Sequence, residues 1–143
     1  MKKLLLFLVA IAFVSCTSEP LPSNIILKDS NTASRYKIEW DSNQIEPYMD
    51  VVIRRGGVDI PVTNIVSKSY DIMLKSGDYL MIGINYKAVA PRPEVSLKIS
   101  KYAGIHYESG VYEPDATYEL YEQKTTANGL GFNGKVDEQG NIK

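Results

Sequence analysis

The sequence predicts an all-β fold, a single antiparallel β-sandwich followed by a short irregular C-terminal extension. Three observations carry it. Apolar and polar residues alternate strictly in several short runs, the pattern of half-buried strands. A Gly56-Gly57 pair sits between two apolar runs, as a two-residue hairpin requires. No stretch after residue 16 combines helical periodicity with capping residues.

In chain order, the first segment is of another kind. Met1-Lys2-Lys3 is basic, Leu4 to Val14 is almost wholly apolar, and Ser15-Cys16 follows. Eleven apolar residues are too few to span a bilayer, where about 20 are needed, but they suit the core of a secretory signal. Residues 17–24 hold two prolines and no periodicity, and read as a tether. Ile25 to Lys28 is a short apolar run and a plausible first strand. Ser34 to Trp40 places Tyr36, Ile38 and Trp40 on one face, and Arg35, Lys37 and Glu39 on the other.

Val51–Arg55, Gly56-Gly57 and Val58–Val62 form the clearest local unit. Glycine supplies positive φ without steric cost, and a two-residue turn fixes the register. Arg55 then faces Val58, Arg54 faces Asp59, Ile53 faces Ile60 and Val51 faces Val62. A slip of one residue would destroy both the apolar pairs and the ion pair. Pro61 has no N–H to donate, which marks its strand as an edge. Tyr70, Ile72 and Leu74 alternate in a further strand, and Ser76-Gly77-Asp78 turns the chain. Lys75–Asp78 is short enough to close a tight hairpin. Tyr79 to Ile84 is apolar on both faces apart from Gly83, which predicts a central strand covered on both sides; its inward set is read as Leu80, Ile82 and Ile84. Pro91 and Pro93 mark a loop. Glu94 to Tyr102 alternates again, with Val95, Leu97 and Ile99 inward.

From Ala103 the pattern loosens. Thr117 to Gln123 reads as one more strand, with Tyr118 and Leu120 against one surface, and residues 135–142 form a small hairpin or fray. Tyr102, Tyr107, Tyr112, Tyr118 and Tyr121 crowd this region. Tyrosine has a flat apolar face and a polar tip, so Tyr107, Tyr112 and Tyr121 are candidate ligand-binding residues. The competing reading, which we favour, makes them packing residues at the margin of the core.

Two resemblances follow from these residues. Phe13-Val14-Ser15-Cys16 resembles a bacterial lipobox, and the chain is similar to envelope lipoproteins of a Bacteroidota-like kind. The resemblance implies that residues 1–15 are removed and that Cys16 is the lipid-attachment residue, carrying palmitate-type acyl chains. Cys16 is the only cysteine, so it has no partner for an intramolecular disulfide. Membrane attachment through Cys16 is expected, at the outer in preference to the inner membrane, because Thr17 is not the aspartate of the inner-membrane retention signal. The body, from 25 to 102, resembles a fibronectin type III or immunoglobulin-like domain, with Trp40 as the core tryptophan and Tyr79 as the tyrosine-corner residue. Residues 103–143 then form a Tyr/Gly-rich extension.

Composition and side-chain chemistry narrow the function. Loss of residues 1–15 removes Lys2 and Lys3 and no acid, leaving fourteen bases against 17 acids. That weak acidity excludes a nucleic-acid partner, which needs a basic face. His106, the only histidine, has no nucleophile nearby in the sequence. Asp41 to Glu46 lacks the glycine and the closing glutamate of a calcium loop and reads as a strand-connecting turn. Glu113, Asp115, Glu119 and Glu122 form an acidic run that reads as a solvated face. No metal, no cofactor and no enzyme activity are expected. The sequence points to a non-catalytic envelope lipoprotein that binds a glycan or a partner protein. The alternatives are a structural subunit of an envelope complex and, more remotely, a small hydrolase.

Overall fold

The computed structural model describes residues 32–103, 105–107, 110–112 and 117–143, with the backbone alone at Thr32 and in the two three-residue segments. The signal, Cys16, the tether, the strand expected at Ile25–Lys28, and Glu113 and Asp115 lie outside the described residues.

Ten strands follow one another: β1 (Thr32–Ser42), β2 (Tyr48–Arg55), β3 (Val58–Ile65), β4 (Ser69–Lys75), β5 (Tyr79–Asn85), β6 (Val95–Tyr102), β7 (Ile105–Tyr107), β8 (Gly110–Tyr112), β9 (Thr117–Thr125) and β10 (Leu130–Lys135). They make two antiparallel sheets. One has the order β10-β5-β2-β3. In the other, β1 lies between β4 and β6, and β9 flanks β6. The two short strands extend the second sheet. Thr32 and Ala33 pair with β7 just beyond the point where Tyr36 to Ser42 pair with β6. β8 pairs with β7 as β9 pairs with β6. Strands β6 to β9 therefore act as one long, interrupted hairpin, and the sheet is in effect four strands wide. The sandwich does not stop at Tyr102, since β9 and β10 belong to its two sheets.

The core lies between the sheets. β1 contributes Tyr36, Ile38 and Trp40, β4 Ile72 and Leu74, and β6 Val95, Leu97 and Ile99; Met49, Val51, Leu80, Ile82 and Ile84 face them. These are the inward sets that alternation assigns. The Gly-Gly hairpin has the expected register, with Val51, Ile53, Arg54 and Arg55 opposite Val62, Ile60, Asp59 and Val58. Gly56 and Gly57 take φ of 57° and 82°. Arg54 Nε donates to Asp59 Oδ1 at 2.6 Å. β3 is an edge strand, as Pro61 requires.

Two expectations change and one open alternative is decided. β5 is central, but it is covered on one side only. Leu80, Ile82 and Ile84 are buried, while Tyr79 is 41% exposed and Met81 and Gly83 are half-buried. A continuous apolar run does not by itself say that a second layer exists. Lys75–Asp78 does not close a hairpin, because β4 and β5 lie in different sheets. Tyr79 points outward with Lys135 Nζ 5.4 Å from its ring centroid, so it makes no tyrosine corner. Tyr36 instead is fully buried and donates its hydroxyl to the Gly140 carbonyl at 2.7 Å. Burial pushes its phenol well above the ordinary range, the Ser34 hydroxyl opposing.

Residues 135–143 fold as the small hairpin that was one of the two expected outcomes. Lys135 N–H donates to the Lys143 carbonyl at 2.7 Å, and Val136 bridges Ile142. This hairpin closes one end of the sandwich. Lys101 Nζ donates to the Gln139 carbonyl at 2.8 Å, and Val136 N–H to the Asp78 carbonyl at 2.8 Å. The nearly buried Asp78 carboxylate accepts from Arg55 Nη2 at 2.6 Å and from Lys75 N–H at 2.8 Å. Among the described residues, no helix is long and apolar enough to cross a membrane.

Candidate functional site

The opposite end of the sandwich is open. There β1 ends, β6 begins and β9 ends, and antiparallel pairing lines up two rows of three residues. Asp41, Ser96 and Lys124 form one row; Ser42, Val95 and Thr125 form the other. Asn43, Glu94 and Thr126 extend these rows over the strand ends. Together the nine residues line a cleft of about 670 Å³. A second hollow, of about 310 Å³, continues from it over Glu39, Trp40, Leu97, Lys98 and Glu122. The combined volume suits a small ligand or an extended chain segment.

The cleft walls are held by hydrogen bonds that the local sequence supplies. Asn43 Nδ2 donates to the Arg92 carbonyl at 2.6 Å, and Glu94 N–H donates to Asn43 Oδ1 at 2.7 Å. Asn43 N–H returns to the Glu94 carbonyl at 3.3 Å. One amide side chain thus clasps the 92–94 loop, which Pro93 restricts further. Gln44 Nε2 donates to the Ala127 carbonyl at 3.1 Å, which holds the turn after β9. Gln44 is 95% buried, and its Oε1 has no protein partner among the described residues. Below the cleft, Trp40 Nε1 donates to the Ser67 carbonyl at 2.6 Å, and Lys68 Nζ lies 4.1 Å from the Trp40 ring centroid.

Charges along the cleft are largely matched by protein groups. Lys68 Nζ lies 3.1 Å from Asp41 Oδ1. Lys68, and then the Ser42 N–H, hold the Asp41 carboxyl below the usual range. Lys124 pairs with Glu122 at 3.1 Å, and Lys98 with Glu119 at 3.3 Å. Glu94 is exposed and its carboxylate has no partner among the described residues. No group of three or more metal-ligating side chains occurs among the described residues.

The candidate tyrosines are not brought together at this cleft. Tyr121 is half-buried against the core, with its ring centroid 4.6 Å from that of Phe132 on the facing sheet; its hydroxyl donates to Gln123 Oε1. A bulge opposite Ile99 and Ser100 gives β9 one extra residue. It lets both Leu120 and Tyr121 pack on the core, while Tyr118, expected beside Leu120, is 44% exposed. Tyr107 pairs with Gly110 and Tyr112 with Ile105 at the far tip of the long hairpin; their side chains, and that of His106, lie outside the described residues. Glu119 and Glu122 each pair with a different lysine. The cleft itself was missed in the sequence. Its only signals were two polar turns, Asp-Ser-Asn at 41–43 and Lys-Thr-Thr at 124–126, and nothing local joins them.

No family model matches the chain, and neither a curated protein nor a solved structure matches it.

Proposed function

We propose that this chain is a lipid-anchored, non-catalytic binding module of a bacterial cell envelope. The observation that carries the reading is the order of residues 1–16: two lysines, eleven apolar residues, then Ser15 and a lone cysteine. Stable anchoring takes two or more acyl chains, which the lipobox-type cysteine would supply. A rigid sandwich with a polar cleft supports binding. At the cleft, hydroxyls, an amide and matched charges supply recognition groups. The sandwich reads as an immunoglobulin-like variant. The order β3-β2-β5-β10 is that of a C′-C-F-G sheet, and β4 beside β1 is that of E beside B. β6 occupies the edge of β1 where the first strand of such a domain would lie.

A structural-subunit role is favoured by one feature, the exposed apolar lip formed by Val58 and Ile60 on β3. Mass spectrometry of the mature N-terminus tests the anchor. An acylated Cys16 is expected at the N-terminus, and Cys16→Ser should abolish acylation and release or stall the protein. A mature chain beginning elsewhere would overturn the reading. Affinity capture from solubilised envelopes, compared with glycan binding, separates module from subunit.

A further inference from the structure

We propose that the cleft between the ends of β1, β6 and β9 binds a neutral, polyhydroxylated chain, a short uncharged oligosaccharide. The inference rests on the binding-module reading above and gives it a site and a ligand class.

The site is built from matched polar groups. Ser42, Ser96, Thr125 and Thr126 offer hydroxyls, each able to donate and accept, and Asp41 and Glu94 offer carboxylate acceptors. That mixture fits sugar hydroxyls, which also donate and accept. It fits other ligands poorly. Lys124 and Lys68 already face Glu122 and Asp41, so among the described residues an anion finds no unmatched lysine on the walls and meets Glu94, which has no partner there. An apolar ligand finds few apolar side chains in the upper cleft, where Val95 is 3% exposed.

The shape suggests a chain, not a single ring. The smaller hollow shares Asp41, Ser96 and Lys124 with the larger one. It runs toward the next cross-strand row, Glu39, Lys98 and Glu122. Rows two residues apart lie roughly 6.6–6.8 Å from each other along a strand, so a ligand spanning both must be extended. Gln44, whose buried Oε1 has no partner among the described residues, braces this wall through the Ala127 carbonyl.

β1 begins at Thr32 and reaches the cleft at Asp41 and Ser42. At about 3.3 Å per residue, the cleft stands roughly 30 Å from Thr32.

The test is calorimetric titration of the full chain, extracted in a detergent without a sugar headgroup. Probes are neutral tri- to hexasaccharides of glucose, mannose, galactose and N-acetylglucosamine, an oligouronate and tetralysine. The expected result is saturable binding of at least one neutral oligosaccharide, with oligouronate and tetralysine at least tenfold weaker. Ser96→Trp, which fills the cleft floor, should weaken the neutral sugar at least tenfold with the melting temperature unchanged. Should that variant fold poorly, the double truncation Glu94→Ala/Thr126→Ala at exposed positions should give the same loss. The proposal is overturned by no neutral sugar binding at millimolar concentration, by tighter binding of oligouronate or tetralysine, or by sugar binding insensitive to the cleft variants. A protein partner captured equally by wild type and Ser96→Trp, with no sugar bound, would overturn this assignment and leave the binding-module reading standing.

Discussion

The two ends of the sandwich solve the same problem in different ways. Both must finish strands whose last polar groups lie near an apolar core. At the closed end, the chain folds its own C-terminus over the gap. Tyr36, Lys101 and Asp78 each meet backbone from residues 136–140 or their own ion partner. At the open end, β1 and β9 stop in the hydroxyl and amide residues Ser42-Asn43 and Thr125-Thr126, and a cleft remains beside them. A buried donor or acceptor without a partner costs about 1–3 kcal/mol, so an end that excludes water needs a cap. An end that admits it does not, and so has room for a cleft.

Substitutions can break or sharpen that contrast. The largest effect is expected at the aromatic residues beneath each end. Tyr36→Ala and Trp40→Ala should each cost about 3–5 kcal/mol, as large-to-small changes in cores do, measured by denaturant unfolding. Tyr36→Ala should in addition remove hydrogen-exchange protection from residues 135–143, while Trp40→Ala should not. Equal loss of that protection in both would mean that the cap does not depend on the Tyr36 hydroxyl.

Next comes Gly134→Ala. A β-carbon there would clash with Ile142 Cγ2 and lie 2.9 Å from Phe132 Cζ, so these side chains must give way. Overpacking of this kind costs about 1–3 kcal/mol, and the melting temperature should fall accordingly.

A smaller effect is expected from acid. Burial pushes the Asp137 carboxyl up, but Lys143 and the Asn141 and Gln139 N–H groups outweigh it and hold the group below its usual range. Its folded pKa is thus below its unfolded value of about 3.9. Its contribution is complete above the unfolded value and lost as the pH falls through the folded one. Hydrogen exchange followed from pH 5 downward should show the 135–143 hairpin opening first below about pH 4, ahead of the 41–43 turn. Simultaneous opening would argue against a separate cap.

The smallest change is expected at the open end. Thr126→Ala and Lys37→Ala should stay within roughly 0.5 kcal/mol of wild type, as surface substitutions do. Tyr121→Leu belongs with the core, and should lower stability through loss of its packing on Phe132.

The same contrast explains what the sequence could reveal. The Gly-Gly hairpin was readable to the residue, because positive φ at Gly56 and Gly57 and the Arg54–Asp59 pair agree on one register. The inward faces of β1, β4 and β6 were readable from period alone. The crossing at Lys75–Asp78 was not, since Ser76-Gly77-Asp78 serves a hairpin or a change of sheet equally well. The decision lies with β1 and β2, far away in the chain. The bulge in β9 was invisible because one inserted residue leaves the composition unchanged. The cleft was harder still, for it joins positions near 41, 95 and 125 whose only relation is cross-strand register.

The position of β1 has a mechanical consequence. Force applied to the chain before Thr32 enters a central strand, not an edge. Ala33 to Glu39 are paired with β4 on one side, and Tyr36 to Ser42 with β6 on the other. A pull along β1 therefore loads both ladders in shear, and many backbone hydrogen bonds must fail together. An edge strand peeled sideways would lose them one by one. Forced unfolding is governed by the unfolding rate, so a domain tugged from its N-terminal side should hold its shape longer than one tugged across β9.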